Sequence, residues 1–194
     1  MRDFLFYPLT ALVAGGVIYY ALSFAEEHEP IVLSDGFTVS GEQLQHMLIP
    51  EQLEFSLVTD EQTGEVVAVL KSNANKKSAP PSAGISVRLG ADFEKIFNGK
   101  PLEMTVRARA GSSEATPLFE MGYFAVGGKS SDWQAFEPTP TYQDYTVRVE
   151  KSAPLDSAPV SYAGIWPDLE GFGRTLNISS ITVKIAQSET ETAN

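Results

Sequence analysis

The 194-residue sequence contains no cysteine and only two histidines, His28 and His46. This composition excludes thiolate catalysis, disulfide bonds and Cys/His zinc sites, together with most histidine-based catalytic triads. The acidic residues considered for glycosidase chemistry are Glu120, Asp168 and Glu170, but no motif fixes two of them as a catalytic pair. We therefore predict a protein that has no catalytic residues and needs neither a metal nor a cofactor.

Basic residues are scarce relative to acidic ones. The chain has 14 Lys and Arg against 25 Asp and Glu, which gives a formal net charge of −11 at pH 7. Nucleic acids and anionic membrane surfaces attract proteins through a basic footprint. The composition therefore argues against both of them as partners.

Charged residues are absent from residues 4–25 (FLFYPLTALVAGGVIYYALSFA). A helix of this length spans roughly 30 Å, the thickness of the hydrocarbon core of a bilayer. Aromatic residues gather at both ends of the segment, as they do at membrane interfaces. We interpret residues 1–25 as an uncleaved transmembrane anchor. The alternatives are a signal peptide cleaved after Ser23-Phe24-Ala25 and a buried core helix.

The charges that flank this segment indicate its direction. Arg2 lies before it, whereas the far side begins with Glu26 and has no Lys or Arg until Lys71. Basic residues tend to stay on the cytoplasmic side of a membrane. We therefore predict a single-pass protein of a bacterial inner membrane, with a cytoplasmic N-terminus and a periplasmic C-terminal domain.

A patch of small residues lies within the predicted anchor and comprises Ala11, Ala14, Gly15 and Gly16. Small residues let a second membrane helix approach closely. They are also common in membrane helices in general. The patch thus has two interpretations: a helix-packing face for another membrane subunit, or ordinary membrane composition.

Sustained helical periodicity is absent after the short linker at residues 26–30. The chain instead shows short alternating or continuous apolar stretches bounded by turn residues, of which residues 102–110 (LEMTVRARA) are the clearest. Residues 92–97 are long enough for one helical turn. Nine to eleven such strands in residues 31–186 predict an all-β domain, an antiparallel β-sandwich of the jelly-roll type. The polar residues 187–194 predict a disordered tail.

Segments of the second half match the pattern of a known family. Asn98-Gly99-Lys100 leads into LEMTVRARA, Trp133-Gln134-Ala135-Phe136 precedes residues 142–147 (YQDYTV), and residues 176–183 (LNISSITV) form the last strand. With these motifs, roughly residues 31–186 resemble the galactose-binding-like jelly rolls, especially bacterial carbohydrate-binding modules of the CenC type. The resemblance implies a jelly-roll fold and the binding of sugars.

The chain departs from this family at two points. The family's final strand often carries an aspartate that helps to hold a structural calcium ion, whereas the positions here are Asn177, Ser179 and Ser180. Calcium needs several oxygen ligands, ideally charged, so the sequence does not predict a calcium site. The family's modules are also usually appended to a hydrolase, and this sequence shows no hydrolase signature.

Sugars are bound by aromatic faces together with planar polar side chains. Residues 166–174 (WPDLEGFGR) form a glycine-bracketed loop with more such groups than a connection needs. The predicted ligand-binding residues are Trp166, Asp168, Glu170, Phe172 and Arg174 of this loop, together with Tyr123. Packing in or around the core is the alternative role for the aromatic residues, and it is the role that we predict for Trp133.

The turn-rich residues 73–84 (NANKKSAPPSAG) predict either a loop at the rim of the fold or a mobile flap. Taken together, these features predict a membrane-anchored, non-catalytic periplasmic module that binds a carbohydrate or glycan. The alternative is an accessory subunit of a larger inner-membrane complex, docked through the transmembrane helix and the sandwich. A glycan hydrolase is the remaining possibility.

Overall fold

Ten β-strands are present in the part of the chain that the computed structural model describes, namely residues 36–80, 82, 84–151, 154, 156 and 160–187. The strands are β1 (Phe37–Ser40), β2 (Leu53–Thr59), β3 (Val66–Ser72), β4 (Ile85–Arg88), β5 (Leu102–Ala110), β6 (Phe119–Val126), β7 (Gln134–Phe136), β8 (Gln143–Val149), β9 (Val160–Trp166) and β10 (Thr175–Ile185). A short helix, α1, spans Ala91–Phe97, and a 3₁₀ helix spans Gly41–His46. The strand pattern and α1 agree with the sequence prediction, whereas the 3₁₀ helix was not predicted.

The strands form two antiparallel sheets that pack face to face. The first sheet has the order β2-β3-β10-β5-β8, and β1 also pairs with β10. The second sheet has the order β4-β9-β6-β7. Aromatic rings meet between the sheets, where Phe119 of β6 contacts Tyr145 of β8 edge to face with ring centroids 5.0 Å apart. This arrangement confirms the predicted β-sandwich.

The alternation of β5 explains how the first sheet divides its side chains between core and exterior. Leu102, Met104, Val106 and Ala108 are all 3% exposed or less and belong to the hydrophobic core. The intervening residues point to the outer face, as period-two alternation requires. Arg109 is the exception to the expected exposure, because this outward residue is only 7% exposed. Arg109 is hydrogen-bonded to Asp60, so this part of the outer face is covered by the turn after β2.

Two loops lie against each other beside the second sheet. The backbone N–H of Lys76 donates to the carbonyl of Leu169 (3.0 Å), which ties residues 73–80 to the loop between β9 and β10. Gly171 makes this approach possible. A Cβ atom at Gly171 would overlap the backbone of Ala74 and Asn75, and its φ of +76° lies in the left-handed region.

The sandwich belongs to the second of two units into which the chain divides, Met1–Leu33 and Ser34–Asn194. Within the described residues, no helix combines the length and apolar character needed to cross a membrane. The predicted anchor and its small-residue patch at Ala11, Ala14, Gly15 and Gly16 lie outside the described residues. The anchor, its direction and the periplasmic location therefore stay predictions.

Candidate functional site

Asp168 organises the loop between β9 and β10. Its carboxylate, in a residue that is only 1% exposed, accepts hydrogen bonds from the backbone N–H groups of Glu170 (3.2 Å), Phe172 (2.8 Å) and Arg174 (3.2 Å). Hydrogen bonds to an ionised acceptor are stronger than those between neutral groups. Asp168 therefore holds the loop in one shape, and the structure gives it this supporting role in the predicted site.

The tip of this loop brings three of the predicted residues together at the surface. Phe172 is 68% exposed, and the Arg174 guanidinium lies 4.9 Å from the centroid of its ring. Arg174 Nη1 also donates to Glu170 Oε2 over 2.8 Å. An aromatic face flanked by a planar cation and a carboxylate is the combination that the sequence predicted for sugar recognition. We call Glu170, Phe172 and Arg174 the loop tip.

Trp166 and Tyr123, the other two aromatic residues of the predicted site, lie away from the surface. Trp166 is 2% exposed, and its indole N–H donates to the carbonyl of Asp168 (3.0 Å). Tyr123 is 3% exposed on β6, and burial raises the pKa of its phenol. Both rings take the packing role that was the alternative at the sequence level. Ligand contact by either ring would require its neighbours to move.

A cleft that the sequence did not predict lies on the outer face of the first sheet. Val69, Asn177 and Arg109 are neighbours across β3, β10 and β5. The turn after β2 borders them and leaves an open cleft of about 350 Å³, which we call the sheet cleft. Its lining includes Val58, Asp60, Gln62, Arg109, Ser113 and Asn177.

Asp60 lines the sheet cleft, and its carboxylate is fully paired. Its carboxylate accepts hydrogen bonds from Arg109 Nε (3.2 Å) and Nη2 (2.9 Å), from the Tyr142 hydroxyl (2.9 Å), and from the backbone N–H groups of Gln62 (2.8 Å) and Thr63 (3.3 Å). Burial raises the pKa of this carboxyl, but the hydrogen bonds outweigh it and lower the pKa from 3.8 to about 2. Asp60 is therefore an ionised, fixed group at neutral pH.

Asn177 supplies a polar side chain without a protein partner to the sheet cleft. The residue is 6% exposed, and no hydrogen bond of its side-chain amide is found within the described part of the chain. Its amide is not among the fully buried unpaired atoms of the described residues, so it is accessible from the cleft that it lines. An amide offers two donors and an acceptor. The sheet cleft thus contains a fixed carboxylate–guanidinium pair and one planar amide that is available to a ligand.

Lys76 lies in a second cluster of charged and aromatic side chains, on the outer face of the second sheet. Its Nζ lies 3.6 Å from the ring centroid of Trp133 and 6.0 Å from that of Trp166, and it pairs with the Glu120 carboxylate. Burial lowers the pKa of the Lys76 amine from 10.5 to about 8, so the amine is still mostly protonated at pH 7. Beside the pair opens a cleft of about 340 Å³, which we call the lysine cleft. Its apolar lining consists of Pro117, Leu118 and Leu169.

Acidic and histidine side chains do not gather into a metal site in the described residues, where no group of three or more is placed to hold an ion. The positions that correspond to the family's calcium aspartate have other surroundings. Ser179 Oγ donates to the carbonyl of Arg107 (3.4 Å), and Asn177 lines the sheet cleft.

The sequence matches no family model and no curated protein. Solved structures do share its architecture. The CBM22-1 xylan-binding domain from Paenibacillus barcinonensis Xyn10C superimposes with a TM-score of 0.51 at 8% identity, covering 80% of this chain and 98% of that one. The C-terminal family 22 carbohydrate binding module of Clostridium thermocellum Xyn10B gives a TM-score of 0.55 at 13% identity, covering 84% and 100%.

A third similar structure contains the CBM22-1 and GH10 modules of Clostridium thermocellum Xyn10B complexed with xylohexaose. Its TM-score is 0.50 at 11% identity, and the match covers 82% of this chain and 29% of that one. Likeness at such low identity establishes architecture. The domain therefore has the galactose-binding-like jelly-roll fold found in carbohydrate-binding modules, which confirms the resemblance stated from the sequence.

Proposed function

We propose that this domain is a non-catalytic carbohydrate-binding module that holds a linear glycan in the sheet cleft. The observation that carries the proposal is the unpaired amide of Asn177 in the lining of that cleft. Adjacent hydroxyl groups of a sugar supply both a donor and an acceptor, which is what a planar amide requires. The shared fold with a domain described as xylan-binding, and with CBM22-1 and GH10 modules described as complexed with xylohexaose, supports the same ligand class.

The state of Asp60 supports a binding role rather than hydrolysis in the sheet cleft. A glycosidase needs an acid whose pKa is raised so that it can donate a proton to the leaving group. Hydrogen bonds instead lower the pKa of Asp60 to about 2. Its carboxylate therefore fixes Arg109 and Tyr142 in place and has no proton to give at neutral pH.

We place a second glycan contact at the loop tip. Phe172 offers an exposed ring on which the C–H face of a sugar can lie. Arg174 and Glu170 supply hydrogen-bonding groups beside it. Because Asp168 holds the loop in shape, the ring needs little additional ordering when it binds, which favours affinity.

We also propose that residues 4–25 anchor the module in a bacterial inner membrane, with the domain on the periplasmic side. The uncharged segment and the Arg2–Glu26 charge asymmetry support this location.

Binding of xylohexaose and of a panel of neutral oligosaccharides, measured by isothermal titration calorimetry on the full chain in mild detergent, tests the proposal. We expect Asn177→Ala to weaken binding about tenfold, which corresponds to about 1.4 kcal/mol, without lowering thermal stability. Gln134→Ala, an exposed change on β7, is the matched control and should bind as the unmodified protein does. If the unmodified protein binds none of the oligosaccharides in the panel, the result contradicts the proposed function.

A further inference from the structure

The ammonium group of Lys76 occupies surroundings that are suited to a cation. Its Nζ lies over the face of Trp133 and pairs with Glu120, and the ring of Trp166 is the second aromatic group nearby. The Lys76 and Glu120 side chains are only 17% and 21% exposed, so their attraction is weakly screened by water. An aromatic face and a carboxylate in a partly dry site attract ammonium groups in general.

The groups that surround this ammonium belong to the second sheet or border it, whereas Lys76 does not. Glu120 and Trp166 are paired residues of the neighbouring strands β6 and β9. Trp133 directly precedes β7 and packs on Phe124 with ring centroids 4.8 Å apart. Lys76, in contrast, arrives from residues 73–80, which form turns and bends and no strand. The site is thus part of the sheet, whereas its occupant belongs to a loop.

The lysine cleft gives a ligand access to this site. Lys76 and Glu120 both line the cleft, and Leu118 of its apolar lining is 37% exposed. A volume of about 340 Å³ is within the range of small-molecule sites. Apolar walls beside a carboxylate suit a ligand that combines a C–H face with a positive charge. A neutral sugar lacks the charge needed to replace Lys76 beside Glu120.

We propose that Trp133, Trp166 and Glu120 form an ammonium-binding site, which Lys76 fills in this structure and which accepts the amino group of an amino sugar from the lysine cleft. The choice of an amino sugar rests on the glycan-binding function proposed above. The ammonium site itself rests on the geometry around Lys76. It is distinct from the sheet cleft, because it uses the outer face of the other sheet.

The central test is Lys76→Met, which removes the ammonium group and keeps most of the apolar stem. The probe is the hexamer of glucosamine, titrated into the full chain in mild detergent. We expect Lys76→Met to bind this hexamer about tenfold more tightly than the unmodified protein does, because the ligand no longer competes with Lys76. The hexamer of N-acetylglucosamine, whose nitrogen atoms are uncharged, should show no such gain.

Two further variants control this measurement. Lys95→Met alters an exposed lysine of α1 that does not line the lysine cleft, and it should leave binding of the glucosamine hexamer unchanged. Adding Glu120→Gln to Lys76→Met should abolish the gain, because the ammonium then loses its carboxylate. A gain of equal size with Lys95→Met or with the acetylated hexamer, or no gain in folded Lys76→Met, would overturn the proposal.

NMR spectroscopy on the unmodified protein provides a test that does not depend on the folding of a variant. A ligand that displaces the Lys76 ammonium removes it from the face of Trp133, so the ring-current shift of the Lys76 side-chain protons should be lost at saturating glucosamine hexamer. A ring-current shift that persists at saturation would refute displacement. Xylohexaose binding, measured on Lys76→Met, should equal that of the unmodified protein. If neither Lys76→Met nor the unmodified protein binds xylohexaose, that result contradicts the function proposed for the sheet cleft and leaves the ammonium site standing.

Discussion

Asp60 and Arg109 carry opposite charges in a place that water hardly reaches. Their side chains are 0% and 9% exposed, and the Arg109 guanidinium also lies 5.3 Å from the ring centroid of Tyr142. Removing charges from water is expensive, and such a pair is tolerated only when its remaining hydrogen-bonding capacity is used. The five hydrogen bonds to the Asp60 carboxylate meet that condition.

We expect Asp60→Asn to lower the free energy of unfolding by about 3–5 kcal/mol, because it leaves the Arg109 charge buried without its partner. Asp144→Asn is the matched control. It breaks the exposed pair with Arg107 (3.1 Å) and should cost less than about 1 kcal/mol. Urea denaturation of both variants checks this prediction, and losses of equal size would contradict it.

The same carboxylate predicts a dependence of stability on acid. Because the folded state lowers the pKa of Asp60 from 3.8 to about 2, the ionised group stabilises the fold. This contribution is complete above the unfolded pKa and is lost as the pH falls through the folded one. The difference in melting temperature between the unmodified protein and Asp60→Asn should therefore shrink between the two pKa values. A constant difference across that window would refute the assignment.

The surroundings of single residues could be predicted from the sequence only in part. Arg109 points outward from β5, in keeping with the alternation of LEMTVRARA, but it is only 7% exposed. Its burial follows from Asp60, which lies 49 positions earlier and arrives through the fold of another strand pair. Asn177 stands where the resembling family often has a calcium-binding aspartate. The replacement of that aspartate by an amide was the one feature of the sequence that pointed to the sheet cleft. The cleft itself could not be predicted, because it is formed by neighbours of Asn177 that are distant in the sequence.

Strands and turns were the most predictable elements, because they depend on local alternation and on turn residues. β5, for example, followed directly from the alternation of residues 102–110. The loop of residues 166–174 was recognised as unusual from its composition. The different roles of its residues could not be predicted, because only the folded loop shows that Asp168 is buried and that Phe172 is exposed to solvent.

At the same scale, Gly171→Ala tests how closely the two loops beside the second sheet depend on each other. A Cβ atom there would overlap Ala74 and Asn75, whereas one at Gly64 meets no atom within 4 Å although its φ is also positive, at +74°. We expect Gly171→Ala to cost about 1–3 kcal/mol more than Gly64→Ala, because overpacking adds to the shared backbone strain. Equal unfolding free energies in urea would show that the loops separate freely.

For the whole molecule, the jelly-roll architecture was accessible from strand spacing and from loose family motifs. The ligand was not, because similar sandwiches carry different sites in their loops and on their outer faces. The predicted anchor concerns residues before the described domain. Its basis is the partition of an uncharged segment into lipid, which sequence alone supports.

We expect the full chain to fractionate with membranes and to be released only by detergent, whereas a chain that begins at Ser34 should be soluble and fold with the same melting temperature. Fractionation of expressed protein, followed by thermal unfolding, checks both parts. Full-length protein that stays in the aqueous fraction would contradict the anchor. A stoichiometric partner recovered in mild detergent would instead favour the accessory-subunit alternative.

The place of β10 has a consequence for synthesis. This strand is the last of the described domain, yet it lies in the middle of the first sheet, between β5 on one side and β3 and β1 on the other. β1 therefore cannot join the sheet until residues 144 positions later are available, because Thr38 is paired with Thr182. Sheets closed by such distant pairing form slowly. A ribosome must release the residues of β10 before this sheet can close, so the first sheet cannot be completed while the earlier strands are still being synthesised.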